Sequence, residues 1–186
     1  MGTKTDIHKK LIEASKKGNN KARRQLYELY ARAMFNICCR MMNNREDAED
    51  ILQEAFVQAF SKLDSFRYES TFGAWLKRIV INTCINAIQK KKVELQLTDD
   101  MHFYGDRYDD NNEENELPLT TAHVQQAMEQ LPEGGRIVFS LYLLEGYDHV
   151  EISQILGISE STSKSQYMRA KRKVYEILKE QYYEEA

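Results

Sequence analysis

The chain has 186 residues, 42% of them apolar, with a single Trp, which allows one large domain or two small ones and suits helical globules rather than fibres or disordered chains. Its longest strongly apolar run, around residues 79–81, is far too short to span a bilayer, and the opening MGTKTDIHKK lacks the apolar core of a signal peptide, so a cytoplasmic location without membrane insertion is expected. The formal net charge of -3 hides a segregation: residues 1–92 hold 18 cations against 10 acids, residues 93–122 hold 1 against 9, and residues 123–186 hold 7 against 10.

In chain order, Ile7, Leu11 and Ile12 predict a short helix ended at Gly18. Ala22, Leu26, Leu29, Ala33, Ile37 and Met41 then fall at steps of three and four and predict a second. Asn43 with Glu46 reads as a capping box for a third helix, whose wide apolar face carries Ala48, Ile51, Leu52, Ala55, Phe56, Ala59, Phe60 and Leu63. The polar stretch DSFRYES breaks the pattern. Ser70 is placed to cap a fourth helix with Trp75, Ile79, Thr83 and Ala87 on its inner side, running out in Lys90, Lys91 and Lys92, cations that suit a carboxyl end. Cys38, Cys39 and Cys84 give neither a disulfide framework nor a CxxC spacing and read as reduced, buried thiols.

Residues 93–122 lack apolar periodicity and are dominated by Asp, Asn and Glu, so they bury too little surface to offset the entropy of ordering and read as an acidic flexible linker. Beyond it, Val124, Ala127, Met128 and Leu131 make another stripe. Pro132 opens a helix with Ile137, Val138, Leu141 and Leu144 on the core side, ended at Gly146. Asp148 with Glu151 forms a capping box for a short helix bearing Val150, Ile152, Ile155 and Leu156, closed by Gly157, and Ser159 caps the last helix. No segment alternates with period two. The expectation is an all-helical protein of two small domains, residues 1–92 and 123–186, joined by residues 93–122.

His8, His102, His123 and His149 are scattered, and no phosphate loop, dinucleotide fingerprint or nucleophile elbow occurs, so no metal, cofactor or catalytic residue is assigned and no enzyme is expected. The informative segment is GISESTSKSQYMRAKRKV. A short helix, a Gly-containing turn and a second helix that opens on hydroxyls and continues in cations is the layout of a helix-turn-helix. Ile158, Tyr167, Ala170, Val174, Ile177 and Leu178 supply its core side. Ser161, Thr162, Lys164, Ser165, Gln166, Arg169 and Arg172 remain for other surfaces; short polar groups reach base edges, Gln pairs with adenine, and Lys and Arg neutralise phosphates. An ordinary solvated helix face carries similar residues, so spacing alone leaves both readings open.

Taken together, NREDAEDILQEAFVQAFSKLDSFRYESTFGAWLKRIVINTCINAIQKKK and LPEGGRIVFSLYLLEGYDHVEISQILGISESTSKSQYMRAKRKV resemble regions 2 and 4 of bacterial RNA polymerase sigma factors of the extracytoplasmic-function subfamily. The resemblance implies that Asp47, Asp50, Gln53, Glu54 and Phe56 dock on core RNA polymerase, at the clamp of its largest subunit. It implies that Glu69, Ser70, Thr71 and Phe72, followed by Trp75, Lys77, Arg78, Asn82 and Asn86, hold the melted −10 promoter element, with a base flipped into the loop. A single Trp on a helical stripe is more often core than a stacking platform, so Trp75 is the weakest of these assignments. Ser161, Thr162, Lys164, Ser165, Gln166, Arg169 and Arg172 would then read the −35 duplex, with Ser163 and Gln166 standing where many relatives have Val and Arg. An anti-sigma factor is a common partner in the family. Two rivals fit the residues: a stand-alone helix-turn-helix regulator, and a helical interaction protein that binds polymerase without touching DNA.

Overall fold

A computed structural model describes residues 4–96 and 121–184, and among them there are helices and turns only. The first helix, α1 (Lys4–Lys16), ends where Gly18 takes a positive φ of 82°, a conformation that suits glycine. Asn19 then caps α2 (Asn20–Met42), its side chain accepting from Ala22 N at 3.1 Å. The turn into α3 (Arg45–Ser61) corrects the expected capping box by one residue. Asn43 is the left-handed C-cap of α2 (φ 53°), and its extended neighbour Asn44 caps α3 by accepting from Asp47 N at 3.0 Å. Only an extended residue can turn its side-chain oxygen onto that amide, so the two asparagines divide the work by backbone conformation.

A 3-10 turn (Leu63–Ser65) leads to α4 (Phe72–Gln96). Thr71, not Ser70, caps α4, its Oγ1 accepting from Ala74 N at 3.2 Å. The helix turns a different side inward from the one expected: Leu76, Val80, Cys84 and Ile88 are buried with Ile81 and Ile85, while Trp75, Ile79 and Ala87 are half-buried. Of the expected stripe only Thr83 is buried. In α2, likewise, Leu29 is 54% exposed and Met34 and Cys38 take the inner positions. Leu26, Met41, Leu63 and Leu76 are sealed from solvent, each such side chain contributing about 1.5–3 kcal/mol by leaving water. Cys38 and Cys84 are buried free thiols, Cys39 is a half-buried one, and the hydrogen bond with Cys38 together with burial pushes the Cys84 thiol well above its ordinary value.

The chain divides into two compact units between Ile88 and Gln89, inside α4. The expected linker falls largely outside the described residues. Where it is described, α4 continues through residues 93–96, which contain no helix breaker, and α5 (Thr121–Glu129) begins before residue 123.

In the second unit, α6 (Glu133–Phe139) starts after Pro132 and passes directly into a π turn (Ser140–Leu144), in which Glu145 N reaches Ser140 O at 3.1 Å. The extra residue in that turn rotates Leu144 outward, to 43% exposed, against the inward position expected. Arg136 is buried and donates to Leu131 O at 3.2 Å, tying α6 to the end of α5. Then come α7 (His149–Leu156), whose capping box of Asp148 and Glu151 is complete, and α8 (Glu160–Glu184). Ala127, Met128, Leu131, Phe139, Ala170, Val174, Ile177 and Leu178 form the core that α5, α6 and α8 share.

Candidate nucleic-acid interface

The α7–turn–α8 pair is fixed by local chemistry. Gly157 reverses the chain at φ 67° and donates to Ser153 O, and Ser159 accepts from Thr162 N at 3.0 Å to open α8. Ser163 is fully buried, and its hydroxyl meets His149 Nδ1 at 2.9 Å, so a hydrogen bond docks α8 on α7. Tyr142 stacks on His149 (centroids 4.4 Å, 12° between planes) and contacts Tyr167 at 4.4 Å, which joins the π turn, α7 and α8 in one aromatic wedge.

With Ser163 turned inward, α8 presents Ser161, Lys164, Ser165 and Arg172 outward, and Thr162, Gln166 and Arg169 are half-buried beside them. Lys164 pairs with Glu160 at 2.6 Å and Arg172 with Glu176 at 3.1 Å, while Arg169 Nε donates to Ser165 O at 3.3 Å. Gln166 departs from the base-reading expectation: its amide lies against α6, where a Cβ on Gly134 would stand 3.4 Å from Nε2. Beside it runs a groove of about 560 Å³ lined by Leu131, Pro132 and Ala170 together with Arg169, Arg172 and Lys173. Sequence reasoning passed over Met168, 45% exposed in the same strip. Its position three residues after Ser165 and four before Arg172 was the available signal.

In the first unit, α3 exposes Asp50, Gln53 and Glu54 along one side, and Asp47 is half-buried at the start of that line. Gln58 donates to Glu54 at 3.0 Å. Val57, 69% exposed, extends the acidic line at the same helical step and was also missed. Phe56 points the other way: it is 3% exposed and packs on Tyr27 at 4.7 Å, so its ring is not offered to a partner in this structure.

The loop between the 3-10 turn and α4 exposes Glu69, Ser70 and Thr71, whereas Phe72 is 4% exposed beneath them. Trp75 is half-buried against Phe66 (5.3 Å) and Phe72 (5.6 Å), a partly core position that leaves some of the indole accessible. Arg78, Asn82 and Asn86 follow one another along the exposed side of α4 at steps of four, and Lys77 lies half-buried off that line. Tyr68 was missed entirely. It sits at φ 63°, and its hydroxyl donates to Glu13 of α1 at 2.5 Å, a contact 55 residues away in sequence and invisible to any local pattern. The Tyr68 hydroxyl, with Lys16 and Lys17 beside it, holds the Glu13 carboxyl below its ordinary value.

Among the described residues no cluster of His, Cys, Asp and Glu could hold a metal ion, and no helix is long and apolar enough to cross a membrane. Residues 26–93 match the family model described as Sigma-70 region 2, and residues 122–174 match Sigma-70, region 4. The chain is 32% identical to the ECF RNA polymerase sigma factor SigW of Bacillus subtilis, over 92% of this chain and 97% of that one. It is 30% identical to the ECF RNA polymerase sigma-E factor of Escherichia coli, over 88% and 90%. The fold is shared with the sigma factor RpoE of Bartonella quintana solved with the anti-sigma factor NepR (TM-score 0.55, 24% identity, 84% of this chain and 96% of that one). CnrH, solved with the cytosolic domain of CnrY, is similar at a TM-score of 0.52, 24% identity, and 91% and 95% coverage. A stand-alone helix-turn-helix regulator would account for the second match alone, and these full-length likenesses favour neither rival. The chain belongs to the extracytoplasmic-function family of RNA polymerase sigma factors, the subunits that direct transcription initiation.

Proposed function

We propose a division of that work among named surfaces, with residues 1–92 and 123–186 as the two working halves and residues 93–122 as their connection. Asp47, Asp50, Gln53 and Glu54 of α3 dock on a basic surface of core polymerase, with Val57 adding an apolar contact and Phe56 holding the helix from inside. The loop of Glu69, Ser70 and Thr71 captures a base of the melted −10 strand. Arg78, Asn82 and Asn86 follow the strand along α4, Lys77 and the accessible part of Trp75 flank them, and Phe72 supports the loop from below.

In the second half, Ser161 and Ser165 approach base edges of the −35 duplex, Met168 offers a thioether to a thymine methyl, and Lys164, Arg169 and Arg172 hold phosphates. Thr162 and Gln166 fix the helix against Ser159 and α6 respectively. The observation that carries the reading is the buried Ser163: it sets the rotation of α8 on α7 and so selects which polar side chains face outward. Phosphodiester chemistry belongs to the polymerase, and the chain itself performs none. It works in the cytoplasm, where that enzyme and the chromosome are. An anti-sigma factor is the further partner proposed, since both neighbouring structures were solved with proteins of that class or with a cytosolic partner domain.

Charge reversal separates the surfaces. Asp50→Lys with Glu54→Lys abolishes association with core polymerase while the thermal unfolding curve stays unchanged. Lys164→Ala with Arg172→Ala leaves that association intact and lowers promoter affinity. Loss of polymerase binding from the second pair alone contradicts the assignment.

A further inference from the structure

The match to region 2 begins at residue 26, so α1 lies outside it, yet α1 reaches the loop assigned to the −10 base. Tyr68 is the residue through which it does so. Its φ of 63° lies in the left-handed region that glycine and asparagine enter most readily, so a tyrosine stays there only where its surroundings hold it. Those surroundings are specific. The hydroxyl donates to Glu13 at 2.5 Å, and Lys9 and Lys16 lie 5.5 and 5.0 Å from the ring centroid. Lys16 also donates to Phe66 O at 3.1 Å and stands 3.6 Å from Glu13. The Phe66 ring, buried beneath, meets Tyr68 at 4.7 Å. A left-handed residue turns the chain sharply, so the conformation of Tyr68 decides where Glu69, Ser70 and Thr71 point.

We propose that α1, through Glu13 and Lys16 acting on Tyr68, preorganises the Glu69–Ser70–Thr71 loop for the flipped −10 base, which makes Tyr68 and Glu13 positioning residues for promoter recognition. The inference rests on the assignment of that loop to the −10 element. A loop held in its capturing conformation loses little freedom on binding, and the apparent affinity of a loosened loop falls by the fraction of time it is competent. The effect is confined to the captured base, because contacts along Arg78, Asn82 and Asn86 do not pass through Tyr68.

The test uses holoenzyme assembled from core polymerase and the full chain, and a labelled single strand carrying the −10 element of a promoter that this holoenzyme transcribes. Its affinity is compared with that for the same strand made abasic at the captured position. Tyr68→Phe and Glu13→Gln each reduce the ratio of the two affinities by about threefold to tenfold, the range of one lost hydrogen bond, and the double variant falls no further than either single one. Tyr68→Gly keeps the backbone conformation without strain and loses the phenol, so it falls as far as Tyr68→Phe. Affinity for core polymerase is unchanged throughout. A wild-type ratio in Tyr68→Phe and Glu13→Gln, with a reduced ratio in Glu69→Ala plus Ser70→Ala, overturns the brace and leaves the loop assignment standing. A wild-type ratio in Glu69→Ala plus Ser70→Ala removes the loop assignment and the brace with it. Parallel loss of core binding and of the ratio in Tyr68→Phe also overturns the proposal, by showing a role in folding alone.

Discussion

Lys164 and Arg172 of α8 are held by carboxylates in the free protein, and that gives a prediction with opposite signs for neighbouring residues. Lys164 pairs with Glu160 and Arg172 with Glu176, with 59% and 56% of the two cationic side chains exposed. Such solvent-screened pairs at i,i+4 are worth about 0.3–0.5 kcal/mol each, so a phosphate displaces them readily. Each phosphate contact steepens the fall of log K with log salt by about 0.9, which makes a contact worth about a 3.5-fold loss of affinity between 50 and 200 mM salt. With Lys164, Arg169 and Arg172 assigned to phosphates, their replacement by Ala removes about 2.7 from the slope, or about 40-fold across the same salt range.

Glu160→Gln and Glu176→Gln act the other way. Each frees a cation and raises promoter affinity about twofold. Glu160 lies in the first turn of α8, so its neutralisation also lowers stability by about 0.5 kcal/mol while affinity rises. The assay is equilibrium binding of holoenzyme to a duplex promoter at a series of salt concentrations, each variant compared with wild type. An unchanged slope in the triple Ala variant, or weaker binding after Glu176→Gln, refutes the reasoning.

Asp148→Ala removes the half of the α7 capping box in which the Asp148 side chain accepts from Glu151 N, and lowers the stability of the second unit by about 1 kcal/mol, read from urea unfolding of the full chain. Ser163→Val puts a larger side chain into a fully buried position and leaves His149 Nδ1 without its hydroxyl partner; the expected loss is about 1–2 kcal/mol, in the same assay. The Tyr68 phenol is pushed up to about 12 by burial and by the Glu13 carboxylate that accepts its hydrogen bond. The fold favours the neutral phenol, so its contribution is whole below the ordinary value of 10.0 and is lost as pH rises from there to about 12. Glu13 behaves in the opposite sense: its carboxyl is held below the ordinary 4.5, so its contribution is whole above that value and disappears on acidification. A spectrophotometric titration therefore shows a phenol ionising near pH 12 that Tyr68→Phe removes.

What could be read from the sequence was what neighbouring residues decide among themselves. The capping box at Asp148 and Glu151, the Ser159 cap and the glycine turn at Gly157 are contests between a side chain and a few adjacent amides, and all three stand as read. The Asn43–Asn44 pair shows the limit, since either residue can cap and only the backbone conformation of the folded turn assigns the roles. For α4 the periodicity was ambiguous. The helix is apolar around much of its circumference, so Trp75–Ile79–Thr83 and Leu76–Val80–Cys84 compete as inner faces, and packing in the first unit chose the second. The π turn at Ser140–Leu144 leaves no mark in a stripe of apolar residues.

The candidate surfaces follow the same division. The exposure of Ser161, Lys164, Ser165 and Arg172 was legible because they are what the apolar stripe of α8 leaves over. The inward lean of Gln166 was not legible because its neighbours are Gly134 and Gly135, whose missing side chains make room for its amide from another helix. Phe56 and Phe72 came with their motifs, and their burial beside exposed neighbours depends on packing that the motifs do not encode. The contact of Tyr68 with Glu13 is set by how α1 packs on the first unit, and no local pattern encodes it.

The most direct measurement is in vitro transcription by purified core RNA polymerase, with and without this chain, across a library of genomic promoter fragments. The account predicts defined start sites that require the chain, that disappear with Asp50→Lys plus Glu54→Lys, and that weaken more steeply with salt in wild type than in the triple Ala variant of α8. Initiation indifferent to the presence of the chain, or chain-dependent starts that survive both sets of substitutions unchanged, would contradict it.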